Sequence, residues 1–274
     1  MVKDIGRLDE KEEKELRSQT EKFLKLLDEL PKKSKKKFEE FTSCKNYFGR
    51  ILIAEIAANS PQKDKVAKIA KSLLDSKNYA KRATALFFFY YYFINKPEEM
   101  IEIVSNYYHS IKWEAENIMD TFWKEYPDLM KDNMMKWIES EDERKRSLSF
   151  HGLENISQKD PHFVMEFIEK IIDDESIDVQ KKITHTIIQI AKARPAEVYP
   201  YLKEWLKDAD NKRIKTIWVS MKKLANSLRL SWGKDKNNDF ALLTKDTIKD
   251  WKHSKNHKIS TMGEKLNIIV KNRE

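Results

Sequence analysis

Apolar positions recur at helical spacing along most of the chain, and five prolines divide this pattern at nearly equal intervals. Pro61, Pro97, Pro127, Pro161 and Pro195 are separated by 36, 30, 34 and 34 residues. Each proline is followed by one amphipathic helical pattern and then by a second. A fixed period of this length is typical of helical-repeat solenoids, in which every helix pair packs on its neighbours. The pattern therefore predicts an all-α solenoid.

The spacing predicts five helix pairs. They cover 61–75 with 78–93, 97–108 with 112–126, 127–140 with 142–156, 161–173 with 177–193, and 195–208 with 211–224. We expect each proline in the first turn of its first helix, where an N–H group has no intrahelical partner to lose. Upstream of the pairs, the apolar spacing predicts helices over 8–30 and 47–58.

The regular period ends near residue 226. We therefore expect a repeat domain over 1–226, with N-terminal cap helices in 1–60 and the repeats in 61–226. Residues 227–274 contain 11 Lys or Arg against 6 Asp or Glu, a surplus of five. They form either a basic C-terminal cap of two short helices or a partly ordered tail. Ile248, Trp251 and Leu266 favour the cap, because they are apolar side chains available for burial.

Composition narrows the class of protein. Glycine and proline are scarce, with 5 and 7 residues, which agrees with long helices joined by short connections. The longest apolar run, 85–94, is too short to span a bilayer, so we expect no membrane segment. The single cysteine, Cys44, cannot form a disulfide within the chain, which fits a reducing compartment, so we expect a cytoplasmic protein. We expect Cys44 itself to pack as a small apolar side chain.

The chain is basic, with a net charge of +8, and its basic residues recur near the start of the second helix of successive pairs. Arg82, Lys112 and Arg146 each lie 15 residues before the next proline, and Lys181 lies 14 residues before it. A solenoid places equivalent positions in a row, and its second helices usually line the concave face. We therefore predict a basic stripe along a concave groove. Its members are Lys81, Arg82, Lys112, Arg144, Arg146, Lys181, Lys182, Arg213 and Lys215.

The stripe has two interpretations. A cationic concave track suits the backbone of duplex DNA, because phosphate contacts release counterions and make binding depend on salt. The same side chains could instead pair with the acidic turns between the two helices of each pair. Aromatic residues interleave with the stripe and could stack on bases, with core packing as the alternative for each. They are Tyr107, Tyr108, Trp113, Trp123, Trp137, Trp205 and Trp218.

Three segments carry a family resemblance. Residues 121–129 contain TF followed by YPDL, residues 136–140 read KWIES, and residues 179–195 contain QKKI and AKARP. These segments resemble Thr-Phe with His-Pro-Glu-Leu, Lys-Trp-Ile-x-Ser, and Gln-Lys-Ala-Ile with Ala-Lys-x-x-Pro in the DNA alkylation repair glycosylases of the AlkD type. The resemblance implies a right-handed α-solenoid of HEAT-like repeats that binds DNA in a concave basic groove, and a DNA glycosylase that removes alkylated purines.

The resemblance also implies a site. In that family the lesion lies in a cleft lined by two tryptophans, an aspartate and an arginine. The Trp-Trp-Asp-Ser-Val-Asp motif falls on residues 107–112, which read YYHSIK here. The aromatic pair becomes Tyr107 and Tyr108, and the catalytic aspartate becomes Lys112. The arginine matches Arg146, and the second tryptophan falls on His185.

Lysine at position 112 changes the expected chemistry. A carboxylate would stabilise the cationic sugar formed when a glycosidic bond breaks, whereas an ammonium group repels it. At about 4 Å and an effective dielectric constant of about 20, exchanging attraction for repulsion is worth several kcal/mol. Glu116 and Asp120 stand four residues apart on one helix face and are the candidate replacement carboxylates, with a solvated or lysine-paired face as the alternative.

Two functions remain open from the sequence. The first is a duplex-DNA-binding repeat protein of the alkylation repair type, with or without glycosylase activity from a shifted carboxylate. The second is a noncatalytic scaffold that binds a protein partner. We expect neither a cofactor nor a metal ion. His253 and His257 have a spacing that can bind a metal, but no acidic residue or cysteine has the right context to complete a site.

Overall fold

The computed structural model describes residues 3–29, 31–231 and 239–271, and these ranges contain helices and no strand. The α-helices are α1 (Glu10–Glu29), α2 (Pro31–Phe41), α3 (Tyr47–Ala58), α4 (Lys63–Leu74), α5 (Tyr79–Tyr92), α6 (Pro97–Tyr107), α7 (Lys112–Glu125), α8 (Pro127–Trp137), α9 (Glu143–Leu148), α10 (Leu153–Ser157), α11 (Pro161–Ile171), α12 (Ile177–Ala193), α13 (Pro195–Lys207), α14 (Asn211–Ser231), α15 (Asp239–Lys252) and α16 (His257–Lys271). A 3-10 turn, Tyr108–Ser110, joins α6 to α7. The predicted all-α solenoid of helical repeats is confirmed.

Most helix boundaries follow from local sequence. Pro97, Pro127, Pro161 and Pro195 occupy the first position of α6, α8, α11 and α13, as predicted. The prediction is wrong for Pro61, because Lys63 N donates to Ser60 O at 3.1 Å and this turn delays the start of α4 to Lys63. Polar residues cap the starts of several helices by accepting a hydrogen bond from a first-turn N–H group; Asn46, Asn78 and Asp142 cap α3, α5 and α9, and Asp160 caps the proline-started α11.

The predicted continuous helix over 142–156 is also wrong. It is divided into α9 and α10 by a turn in which Gly152 has a φ of 78°, a left-handed conformation that suits glycine. The turn is held by tertiary contacts: Phe150 is buried, and the indole Nε1 of Trp123 donates to the carbonyl oxygen of His151 at 2.9 Å. Burial of Phe150 and this hydrogen bond therefore favour the break over a continuous helix.

The chain forms two compact units, Met1–Phe122 and Trp123–Glu274, called unit 1 and unit 2 below. In unit 1, α5 packs against α3 and α4, and α3 also packs against α1. The apolar run of α5 is the centre of this unit, since Leu86, Phe87 and Phe88 are each at most 3% exposed. Among the described residues, no helix is long and apolar enough to cross a membrane.

Unit 2 contains two rows of helices. Alternate helices along the chain form each row: α14 packs on α12 and α16 in one row, and α13 packs on α11 and α15 in the other. The last pair is covered by its neighbours, because Ile248, Trp251 and Leu266 are at most 2% exposed. The expected domain boundary at residue 226 lies within α14, and this division of the chain stays a prediction. Residues 232–238, with Trp232 and Gly233, lie outside the described residues.

Candidate nucleic-acid interface

The residues of the predicted basic stripe stand near the starts of helices in both units. Lys81 and Arg82 stand in α5 and Lys112 in α7, all in unit 1. The other members stand in unit 2: Arg144 and Arg146 in α9, Lys181 and Lys182 in α12, and Arg213 and Lys215 in α14. The local placement is therefore the one expected, and the side-chain partners decide what each residue is free to bind.

Three arginines of the stripe are bound within the protein. Arg146 Nε donates to Asp174 Oδ2 at 2.6 Å, and its Nη1 donates to the Ser140 carbonyl oxygen at 2.7 Å. Arg82 donates to carbonyl oxygens in two different turns, and Arg213 donates to both carboxylate oxygens of Asp173. Hydrogen bonding to Asp174 raises the pKa of Arg146 further above its ordinary value. These arginines link helix starts to neighbouring turns.

The exposed members of the stripe differ from these arginines. Among the described residues, Arg144 and Lys181 pair with Asp142 and Asp178 of their own helix starts. Lys182 is half-buried and Lys215 is exposed, and neither has an ion-pair partner among the residues that the structure describes; His185 is also exposed. The available positive charge therefore comes mainly from lysines.

In unit 1, Tyr108 and Lys112 of the family motif lie beside Glu116, a candidate replacement carboxylate. Tyr108 is 7% exposed, and its hydroxyl donates to Glu116 Oε1 at 3.1 Å. Lys112 Nζ lies 3.9 Å from the same oxygen and 6.0 Å from the centroid of the Tyr108 ring. Burial, and then the charge of Glu116, raise the pKa of Tyr108, so its hydroxyl stays a donor. Asp120 is half-buried one turn further along α7. Glu116 therefore interacts with both Tyr108 and Lys112.

In unit 2, Lys215 of the predicted stripe lies beside three lysines that the sequence reasoning missed. An open pocket of about 800 Å³ lies between α14 and α16, and four lysines, Trp218 and His257 line it without any carboxylate. The lysines, called the lysine face below, are Lys215, Lys222, Lys258 and Lys265. All four are exposed, and in the described part of the chain none has a carboxylate partner. Lys222 Nζ lies 5.8 Å from the centroid of the Trp218 ring.

The lysine face continues across α14. A second pocket, of about 370 Å³, lies between α12 and α14 and shares Lys215 with the first. Lys181 and Lys223 also line it, while its one acidic lining residue, Glu175, is bound to Lys212 at 2.6 Å. The sequence signal was present: on α14 and on α16 alike, two lysines stand seven residues apart, a spacing that puts them on one helix face.

Comparisons with known proteins give one family and a fold. A family model described as "DNA alkylation repair enzyme" matches residues 6–224. The crystal structure of smu.31 from Streptococcus mutans UA159 is similar over 69% of this chain and 96% of that one, with 20% identity and a TM-score of 0.55. An engineered protein and the designed armadillo repeat protein YIII(Dq)4CqI are each 14% identical, with TM-scores of 0.36 and 0.27. The similarity to the engineered protein covers 93% of this chain and 69% of that one, and the similarity to the armadillo repeat protein covers 81% of this chain and 92% of that one. Comparison with curated proteins gives no match.

Proposed function

Because the chain belongs to the DNA alkylation repair enzyme family, we propose that it binds duplex DNA through the lysine face of unit 2. The observation that supports this proposal most is the first pocket, where four lysines surround Trp218 and, among the described residues, no carboxylate pairs with them or lines the surface. The lysines present point charges on long flexible side chains, which suits contact with phosphates along a DNA backbone.

The number of lysines in contact with phosphates sets how strongly DNA binding depends on salt. Each phosphate neutralised by a lysine releases counterions and contributes about −0.9 to the slope of log K against log salt concentration for duplex DNA. Four lysines in contact with phosphates therefore contribute a slope of about −3 to −4. Trp218 adds a flat apolar surface beside the charges, which suits contact with sugars or an exposed base.

The proposed role is recognition of DNA rather than cleavage of a glycosidic bond. Lys112 stands where the family resemblance places the catalytic aspartate, and it lies 3.9 Å from Glu116, the best-placed candidate replacement carboxylate. A cationic sugar that approached Glu116 would also approach the Lys112 ammonium group. The repulsion between the two positive charges opposes the charge stabilisation that cleavage needs. Incubation of excess protein with duplex containing N7- or N3-methylpurine should therefore release no base. Base release above background would overturn this part of the proposal.

The binding proposal is tested by neutralising the lysine face. We expect the variant with Lys→Gln at all four positions to bind a fluorescent duplex more weakly, with a salt slope smaller in magnitude by about 3 to 4. A matched variant carries Lys→Gln at four exposed lysines of unit 1 and lowers the net charge equally, from +8 to +4. Its substituted residues are Lys14, Lys22, Lys25 and Lys71.

Fluorescence anisotropy over a series of salt concentrations compares the two variants with the parent protein. The proposal requires that only the lysine-face variant lose slope. Equal losses in both variants would mean that net charge alone drives binding, and an unchanged slope in the lysine-face variant would place the DNA elsewhere.

A further inference from the structure

Three exposed aromatic side chains of unit 1 line the same pocket. Phe48, Tyr79 and Trp113 are 40%, 43% and 71% exposed, and among the described residues they are the large aromatics that stand out most from the surface. They come from the first turns of α3, α5 and α7 and surround an open pocket of about 520 Å³. Exposed aromatic surface gathered at one place marks a binding site more often than scattered apolar side chains do.

The floor of this pocket is a buried ion pair. Arg50 Nη2 donates to Glu114 Oε1 at 2.7 Å, and the Tyr79 hydroxyl donates to the other oxygen of the same carboxylate. The side chains of Arg50 and Glu114 are only 8% and 2% exposed. Arg50 also donates to the carbonyl oxygen of Lys45 at 2.7 Å, and its guanidinium lies 5.8 Å from the centroid of the Tyr47 ring.

This arrangement fixes the pocket and leaves its floor electrically balanced. The charges of Arg50 and Glu114 face each other, so the floor offers a ligand no free anion or cation. Glu114 holds the hydroxyl of Tyr79 and thereby sets the orientation of that ring. Burial and the bond to Glu114 raise the pKa of Tyr79, which keeps this hydroxyl a donor. A buried carboxylate that lost its arginine would be costly, so the pair acts as a rigid support for the exposed rings.

We propose that the pocket binds a single unstacked nucleobase, with Trp113 as the stacking surface. A neutral site walled by aromatic rings suits a planar ligand with π-faces, and base–aromatic stacking tolerates every base. Lys112 precedes Trp113 in α7, and its side chain is 60% exposed. It supplies positive charge for a phosphate beside such a base. The inference extends the proposed function from paired to unpaired nucleic acid.

The experiment uses a single strand of about 12 nucleotides with 2-aminopurine at its centre, and the same strand paired with its complement. Stacking quenches 2-aminopurine fluorescence, so the signal reports the base itself, while anisotropy gives the dissociation constant. The variants are Trp113→Ala and Trp113→Phe. Ile94→Ala is the matched control, because Ile94 is a 47% exposed apolar residue of unit 1 that does not line the pocket. Circular dichroism verifies the fold of each.

We expect the parent protein to quench the single-strand probe and Trp113→Ala to weaken its binding by about 5- to 150-fold, the range of one stacked base. Trp113→Phe should retain most of the affinity, and Ile94→Ala all of it. Trp113→Ala should bind the paired probe as the parent does. Unchanged quenching in Trp113→Ala would overturn the inference, as would a parent protein that does not quench the strand.

The failure of this inference is distinguishable from failure of the proposed function. The lysine-face variant governs binding of the paired probe, and Trp113 governs quenching of the single strand. A protein that binds the duplex through the lysine face but ignores Trp113 refutes the base pocket alone. A protein whose duplex binding ignores the lysine face, but whose single-strand quenching needs Trp113, refutes the proposed function alone. If single-strand binding loses its dependence on salt and apolar peptides bind in place of the strand, the pocket belongs to a protein partner. That result would overturn the inference.

Discussion

Arg146 and Asp174 are joined by two hydrogen bonds, from Nε to Oδ2 at 2.6 Å and from Nη2 to Oδ1 at 3.4 Å. The pair connects α9 to the turn before α12, and Asp174 is only 6% exposed. Arg146 is the arginine that the family resemblance placed in a lesion cleft. Here its donors hold the protein together, which makes stability the first property to test.

Replacing Arg146 should destabilise the fold. Arg146→Ala leaves a nearly buried carboxylate with its charged partner gone, and we expect the free energy of unfolding to fall by about 1.5–3 kcal/mol. Arg144→Ala is the control, because Arg144 is 58% exposed and its ion pair in the described part of the chain is with nearby Asp142. We expect its loss to be below about 1 kcal/mol. Urea unfolding followed by circular dichroism measures both. Equal losses would show that Asp174 finds another partner.

The ion pair of Lys131 with Asp160 should give a pH-dependent stability. Lys131 Nζ donates to Asp160 Oδ2 at 2.7 Å, and this hydrogen bond holds the pKa of Asp160 below its ordinary value of about 3.9. A carboxyl whose pKa is lower in the folded state stabilises the fold fully above the unfolded pKa. The contribution disappears as the pH falls through the folded pKa.

Asp160→Asn tests this dependence, because asparagine can still cap α11 as Asp160 does through Phe163 N. We expect the parent protein to be more stable than the variant near pH 7, and the difference to shrink as the pH falls below about 4. Urea unfolding at a series of pH values measures it. A difference that stays constant across this range would contradict the role of charge.

Gly263→Ala should destabilise unit 2 although the position is helical. A Cβ added at Gly263 would lie 2.6 Å from the carbonyl carbon of Trp251 and closer still to the backbone nitrogen of Lys252. Helix α16 must then move away from α15, which costs about 1–3 kcal/mol. On an exposed helix the same change is stabilising by about 1 kcal/mol. A lower thermal midpoint in the variant would therefore support the close contact between the helices, and a higher one would contradict it.

Cys44 should react slowly with alkylating reagents. Burial raises the pKa of its thiol, and the side chain packs so closely on Gly49 that a Cβ there would lie 2.8 Å from Sγ. Since the thiolate is the nucleophile, we expect slower modification by iodoacetamide at pH 8 in the native protein than in denaturing urea. The chain has one cysteine, so mass spectrometry reports this site alone. Equal rates would refute the effect of burial.

Local sequence determined most of the helices. The expected ranges of α3 and α12 agree with the structure residue for residue, and four of the five marker prolines begin helices. Helical periodicity, proline at the first position and polar capping residues act within one or two turns of chain. Their consequences can therefore be predicted without knowing the fold.

Only the tertiary structure decided which charges are available. Arg50 and Glu114 are 64 residues apart in sequence, and the lysine face combines α14 with α16 across residues outside the described ranges. The sequence placed Arg146 and Lys215 in one stripe, yet the first is bound to Asp174 and the second is free of a carboxylate partner among the described residues. A residue's position in a helix is fixed by neighbours in the chain. Its free charge depends on which distant side chains folding brings within a few ångströms.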